Sequence, residues 1–320
     1  MNFKHRSLSS KDRKNKMKKT GSIAVFLLAT LSVLSANTDN RLWRLKDDKS
    51  VYAELVNYDE GTGDVHLRIN EEEDIVYPFD QFQVIDKAWL VEWLEFSEDL
   101  NIKVEELGGS LSSYQSQGKY PTDFYVYEPS NGLAGDERSL LILFHPGGKG
   151  ARLLKRFLES SEETKTVIVA CDTFRNTGSN VEKEKALYDR FVELLPFIEA
   201  TVVHNSTKLY MGGASGGAWR AFHYAAWIER PWAGILSMGG WLGGKDYYDL
   251  EYPKMKVAFV NGNQDHAANQ YVEPDTEVLE KRDCEIAVIA FEGGHQVAPV
   301  SAQIKALYWL TNQEEYFQEQ

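Results

Sequence analysis

The chain has 320 residues, 43% hydrophobic and 26% charged, with a formal net charge of −13. That composition suits a globular protein with one large unit and a small one, and it excludes wholesale disorder. The first 36 residues carry eight Lys/Arg against one Asp, which leaves the remainder at −20; a body that acidic repels nucleic acid and anionic lipid, so neither is an expected partner.

Residues 1–36 read as an export signal. A lysine-rich run ends at Lys19, the apolar stretch Ile23–Leu34 follows, and the small residues Ser35 and Ala36 close it. These are the n-region, h-region and cleavage site of a secretory signal; an uncleaved N-terminal anchor is the alternative. The apolar stretch falls short of the ~20 residues that a bilayer span needs. Met17-Lys18-Lys19 offers a second start. The expectation is a periplasmic or extracellular protein with no integral membrane span after processing.

Beyond Arg41, Val51, Ala53 and Leu55 alternate with polar residues, as do Val65, Leu67 and Ile69. Asp59–Asp64 and Asn70–Asp74 read as polar turns. Period-two alternation marks half-buried strands, and short strands with polar turns suggest a small barrel. Arg41-x-Trp43 with Asp47-Asp48, Ala53–Val56, Val65-x-Leu67 and Pro78–Phe82 resembles the SLA1 homology domain 1 family, with Gln83-Val84-Ile85-Asp86 where that family has Ser-x-x-Asp. The resemblance implies an SH3-like barrel over residues 41–94, a binding or spacer module whose ligand is a peptide or protein.

Leu90, Trp93, Leu94 and Leu100 recur at helical spacing, and Gly108 to Gly118 has a linker's composition, so residues 95–119 read as a connector. From Tyr120 the pattern changes. Strand-like runs at Asp123–Tyr127, Leu140–Phe144, Thr166–Ala170, Lys208–Met211, Gly234–Met238, Val257–Val260 and Ile286–Phe291 alternate with helical stretches. Those stretches lie at Ala151–Ser160, beyond the capping box Ser179/Glu182, from Ala218, at Thr276–Lys281 and at Ala302–Leu310. Alternation of this kind predicts an α/β unit over residues 120–313, a mostly parallel sheet with helices on both faces. Its site should lie beyond the carboxyl ends of the strands. Cys171 and Cys284, the only cysteines, fall at opposite ends of strand-like runs and are expected to be unpaired, buried thiols. Cys and His show no metal spacing, and neither a metal nor a cofactor is implied.

Gly213-Ala214-Ser215-Gly216-Gly217 fits G-x-S-x-G between a strand and a helix. A strand that becomes a helix at one residue strains that residue, and the residues two positions away must lack side chains so that strand and helix can approach. His145-Pro146-Gly147-Gly148 follows Phe144, Asn261 to His266 follows Val260, and Glu292-Gly293-Gly294-His295 follows Phe291. A hydroxyl, a carboxylate and an imidazole thus reach one sheet edge on separate loops, in the order Ser215, Asp265, His295 of α/β-hydrolases. Ser215 needs a base to act as a nucleophile, His295 can be that base, and Asp265 can hold its tautomer. His266 is a rival base, while Asp246, Asp249 and Asp275 are rival acids, and Asp265 can also be read as a helix cap. The oxyanion donors should be the N–H of Gly216 and that of Gly147, with Gly148 as the alternative; Pro146 has no N–H.

On His145–Gly148, Gly213–Gly217, Asp265 and Gly294-His295, residues from about Tyr120 to Leu310 resemble compact α/β-hydrolases of the esterase, phospholipase/carboxylesterase and polyhydroxybutyrate depolymerase-like group. The resemblance implies hydrolysis of a small-molecule or polymeric carboxylic ester through an acyl-enzyme. Trp241, Phe174 and His145 are candidates for the substrate-binding wall, with Thr177 beside Phe174. A serine peptidase on the same fold is one alternative. A non-catalytic binding protein acting through the N-terminal module is the other.

Overall fold

The computed structural model describes residues 41–70, 73–135, 137–178 and 180–313. The signal read over residues 1–36 and the Ser179 cap lie outside them. All the described residues belong to one unit, Leu34–Gln320.

Four strands, β1 (Arg41–Arg44), β2 (Ser50–Asp59), β3 (Asp64–Asn70) and β4 (Glu73–Pro78), pair in chain order as an antiparallel sheet. Alternation sends Trp43, Ala53, Leu55, Val65 and Leu67 to one buried face. The β2–β3 turn is held by Asp59, whose Oδ1 accepts the N–H groups of Gly61 at 2.8 Å and Thr62 at 3.2 Å. A short turn at Phe79–Gln81 then returns the chain, and Phe82 bridges to Leu45.

Helix α1 (Val84–Leu107) follows, and its two halves serve two cores. Leu90, with Trp89, Trp93 and Leu94, packs on the four-stranded sheet, while Leu100, with Phe96, Val104 and Leu107, packs into the larger unit. The expected boundary at residues 94/95 therefore falls inside a continuous helix. The ion pair Lys103–Glu159 (2.7 Å) and the pairs Arg152–Glu92 and Lys155–Asp99 fasten it to the larger unit. At its other end, Asp86 is fully buried and takes the guanidinium of Arg41 and, at 3.1 Å, the N–H of Arg44.

The stretch read as a linker is a strand. Gly108 ends α1 in the left-handed conformation (φ 75°), and β5 (Ser110–Gln115) pairs antiparallel with β6 (Asp123–Glu128). Its Ser/Gln content misleads because β5 is an edge strand with only two apolar anchors. Leu111 goes to one face and Tyr114 to the other, where it stacks on Phe124 at 5.3 Å. The connector read over 95–119 thus holds the end of α1 and the strand β5 of the larger sheet.

The larger sheet adds β7 (Leu140–Phe144), β8 (Val167–Cys171), β9 (Leu209–Ala214), β10 (Gly234–Met238), β11 (Lys256–Gly262) and β12 (Glu285–Phe291). Its order is β12-β11-β10-β9-β7-β8-β6-β5, and β6 alone runs against the rest. Helices α2 (Gly150–Lys155), α3 (Leu158–Thr164) and α7 (Val300–Leu310) cover one face with α1; α4 (Val181–Thr201), α5 (Gly216–Trp227) and α6 (His266–Glu280) cover the other. The single helix expected at 151–160 is thus split in two. Asn180 caps α4, its Oδ1 accepting the N–H of Lys183 at 2.9 Å. Helix α6 starts ten residues earlier than its apolar pattern suggests; Pro274 lies inside it, and the carbonyl of Gln270 that loses a partner belongs to an exposed residue. Cys171 and Cys284 are free and buried. No described helix is long and apolar enough to cross a membrane.

Strand β7 has β8 on one side and β9 on the other, so the chain's progress across the sheet reverses there. Loops leaving the carboxyl ends of β7 and β9 diverge and open a crevice.

Candidate active site

Ser215 is the one residue between β9 and α5, with φ 52° and ψ −121°. A non-glycine side chain at positive φ is strained and persists only where its surroundings fix it. Here the Ser215 N–H donates to Met238 O at 2.8 Å, and its carbonyl accepts from Ala218 and Trp219. The flanking glycines have a specific cause: a Cβ on Gly213 or on Gly217 would overlap the Phe144 carbonyl. Strand β7 thus packs under the turn so closely that only glycine fits at both positions.

His295 stands on the loop after β12, its Nε2 2.9 Å from Ser215 Oγ and its Nδ1 2.8 Å from Asp265 Oδ2. With Nδ1–H donated to the carboxylate, the Nε2 lone pair faces the serine hydroxyl. Asp265 ends the loop after β11 and begins α6, and its Oδ1 accepts the Ala268 N–H at 3.1 Å. The helix-cap role and the histidine contact, read as alternatives in the sequence, belong to one carboxylate. Side-chain exposure is 1% at Asp265 and 42% at His295, so the array runs from a closed acid to an open imidazole. Gly239 packs over the pair: a Cβ there would lie 3.1 Å from both Asp265 Oδ2 and His295 Nδ1. Asn261 holds Gly239 in place by accepting its N–H at 2.9 Å.

The rival residues lie elsewhere. His266, Asp246 and Asp249 are exposed. Asp275 is fully buried and accepts the Leu242 N–H at 2.7 Å. Burial pushes its carboxyl up to about 6.

The loop after β7 departs from expectation. The Gly147 N–H donates to His145 Nδ1 at 2.8 Å, and the Gly148 N–H to His145 O at 3.0 Å. Burial, with Lys149 and Arg152 nearby, lowers the His145 imidazole below its usual range and keeps Nδ1 an acceptor. Both candidate donors of this loop are therefore engaged by His145. Gly216 opens α5, and a first-turn N–H has no intrahelical acceptor, so this donor faces outward.

Phe174 does not line the site. It is fully buried, in edge contact with Phe144 and Phe191. Thr177 is tied to Glu184 at 2.7 Å. Between them Asn176 lies against Gly216, and the sequence reading missed it, although its loop follows a strand end like the others. That loop is held by Arg220, fully buried on α5, which donates to Phe174 O at 2.7 Å and pairs with Glu184 at 3.1 Å. Trp241 is half-buried at the rim, two residues beyond Gly239, and stacks on Tyr271 at 5.2 Å. Among the described residues no group of three or more His, Cys, Asp or Glu converges as a metal site would.

The crossover order and the turn at Ser215 define an α/β-hydrolase fold, and solved structures agree. Esterase LipW from Mycobacterium marinum superposes with a TM-score of 0.52 at 12% identity, over 69% of this chain and 85% of its own. The hyperthermophilic esterase from Pyrobaculum calidifontis gives 0.50 at 12%, over 70% and 92%. S-formylglutathione hydrolase from Staphylococcus aureus gives 0.50 at 13%, over 64% and 97%. No protein-family model and no curated protein sequence matches the chain.

Proposed function

We propose that this protein is a serine hydrolase that cleaves carboxylic esters. The observation that carries the reading is the run Ser215 Oγ, His295 and Asp265 at 2.9 and 2.8 Å above one sheet edge. The names of the fold neighbours, esterases and an S-formylglutathione hydrolase, lend it support. Ser215 Oγ attacks the ester carbonyl carbon as its proton passes to His295 Nε2, and the carbonyl π pair moves onto oxygen. When that oxyanion collapses, the bond to the alcohol oxygen breaks, and the alkoxide takes the proton from His295. Water, deprotonated by His295, then attacks the acyl-enzyme by the same steps and returns the proton to Ser215. Throughout, Asp265 stabilises the imidazolium without taking its proton.

Exposure of His295 and the stacked Trp241–Tyr271 pair at the rim favour substrates presented from an open surface. Residues 41–94 act in this reading as an SH3-like binding or spacer module, supported by the antiparallel sheet and the Leu45–Phe82 bridge. Export rests on the sequence of residues 1–36.

The test is hydrolysis of p-nitrophenyl acetate and butyrate, with fluorophosphonate labelling. Ser215→Ala should abolish labelling and lower kcat by about 10⁴-fold or more. An unlabelled, inactive wild-type protein would rule the reading out.

A further inference from the structure

The tetrahedral intermediate needs at least two donors aimed at its oxygen. The helix start at Gly216 supplies one N–H. The loop after β7 supplies none in this structure, since Gly147 and Gly148 both donate to His145.

The space over Gly216 is filled from another loop. A Cβ at position 216 would overlap the Asn176 carboxamide, with Oδ1 the nearest atom and Nδ2 2.7 Å from it. A glycine after the nucleophile therefore admits the Asn176 amide into the place of its own side chain, beside the outward N–H. That amide is exposed and makes no hydrogen bond to another described residue. Rotation about Cβ–Cγ exchanges Oδ1 and Nδ2, so an N–H can be turned toward the reacting carbonyl.

The loop is built to hold this amide. The Asn176 backbone N–H donates to Pro146 O at 2.7 Å, and Arg175 bridges to Gly147, so the two loops are laced together. Phe174 anchors the near end in the core. Arg220 grips the Phe174 and Arg175 carbonyls at 2.7 and 3.1 Å, and the Glu184 it pairs with accepts the Thr177 hydroxyl. Gly216 and Arg220 are four residues apart and share one face of α5. One helix face thus clears the space for Asn176 and fixes the loop that carries it.

We propose that Asn176 is a catalytic residue, its side-chain amide giving the second hydrogen bond to the oxyanion alongside the Gly216 N–H. This rests on the hydrolase reading above. A side-chain donor to the oxyanion is worth about 10²–10³ in kcat.

Steady-state kinetics on p-nitrophenyl butyrate, with thermal melts, test it in Asn176→Ala and in the same-shaped Asn176→Asp, which has no N–H to give when ionised. Both should melt with the wild type, because the side chain is exposed, and both should still be labelled on Ser215, more slowly. Both should lose about 10²-fold or more in kcat with KM moved by less than about threefold. A kcat loss below about thirtyfold in either variant returns the role to Gly147 and overturns the proposal. A raised KM with kcat kept also overturns it, by assigning the amide to ground-state binding. Failure of the hydrolase reading itself looks different, since wild type would then neither turn over nor label.

Discussion

Asp86 and Asp265 are both shut away from solvent and both stand at the start of a helix. Asp86, in the small unit, faces the Arg41 guanidinium, a charge that never leaves it. Asp265, at the sheet edge, faces the imidazole of His295, whose charge can come and go, and it caps α6 with its other oxygen. Asp275 makes a third case: it receives the Leu242 N–H and the Tyr248 hydroxyl, and no cation among the described residues. All three carboxylates are buried, so the partner decides the use. A permanent cation makes a fastening, a titratable one suits the proton relay proposed above, and none at all leaves a group whose own protonation responds to pH.

Replacing each carboxylate in turn sharpens that contrast. Asp265→Asn should have the largest effect, a drop of about 10⁴-fold in kcat on p-nitrophenyl butyrate, because the amide favours the wrong imidazole tautomer. Asparagine caps a helix as well as aspartate, so the melting temperature should hold; Asp265→Ala should lose the same activity and about 1 kcal/mol besides. A variant Asp265→Asn with wild-type kcat would dissolve the distinction between the two acids. Asp86→Ala should leave kcat nearly intact but remove about 3–5 kcal/mol of stability in urea titration, by stranding Arg41 in a part-buried site. Less than 1 kcal/mol lost would make it an ordinary surface pair.

The smallest effect is expected at Asp275. Its folded value of about 6 lies above the unfolded one of roughly 3.9, so it adds stability as pH falls through about 6. His223, held by burial down to about 4, runs the other way, and stability is lost as pH falls from about 6.5 toward 4. Both grip Leu242, His223 Nε2 through its carbonyl at 2.8 Å and Asp275 through its N–H. Asp275→Asn should therefore leave the His223 slope uncompensated. Unfolding free energies from urea titration at pH 7 and pH 5 should differ more in the variant than in the wild type, by an amount on the order of 1–2 kcal/mol. Equal separations would show that the two groups do not oppose one another.

The meeting of Ser215, His295 and Asp265 was readable because it consists of side chains, each on the loop after a strand whose apolar run is plain in the sequence. The aim of a backbone donor such as the Gly147 N–H depends on where the His145 ring turns, which no spacing encodes. Asn176 escaped notice for a related reason. The same strand-end rule leads to its loop, but the larger Phe174 draws the eye, and only packing reveals that Phe174 points inward. Strand β5 was hidden because an edge strand can be mostly Ser and Gln, and the first half of α6 because Pro274 interrupts its pattern. In the small unit the alternation of Ala53, Leu55, Val65 and Leu67 was legible, whereas the burial of Asp86 depends on Arg41, forty-five residues away.

Helix α1 carries Leu90 to one core and Leu100 to the other. Each residue of an α-helix turns the next by 100°. A single residue inserted near Trp93 would swing Leu100 a quarter-turn and more off its seat while leaving Leu90 in place. The spacing between the two cores is therefore quantised: it can lengthen or shorten by near-whole turns, like a threaded axle, but not by single steps.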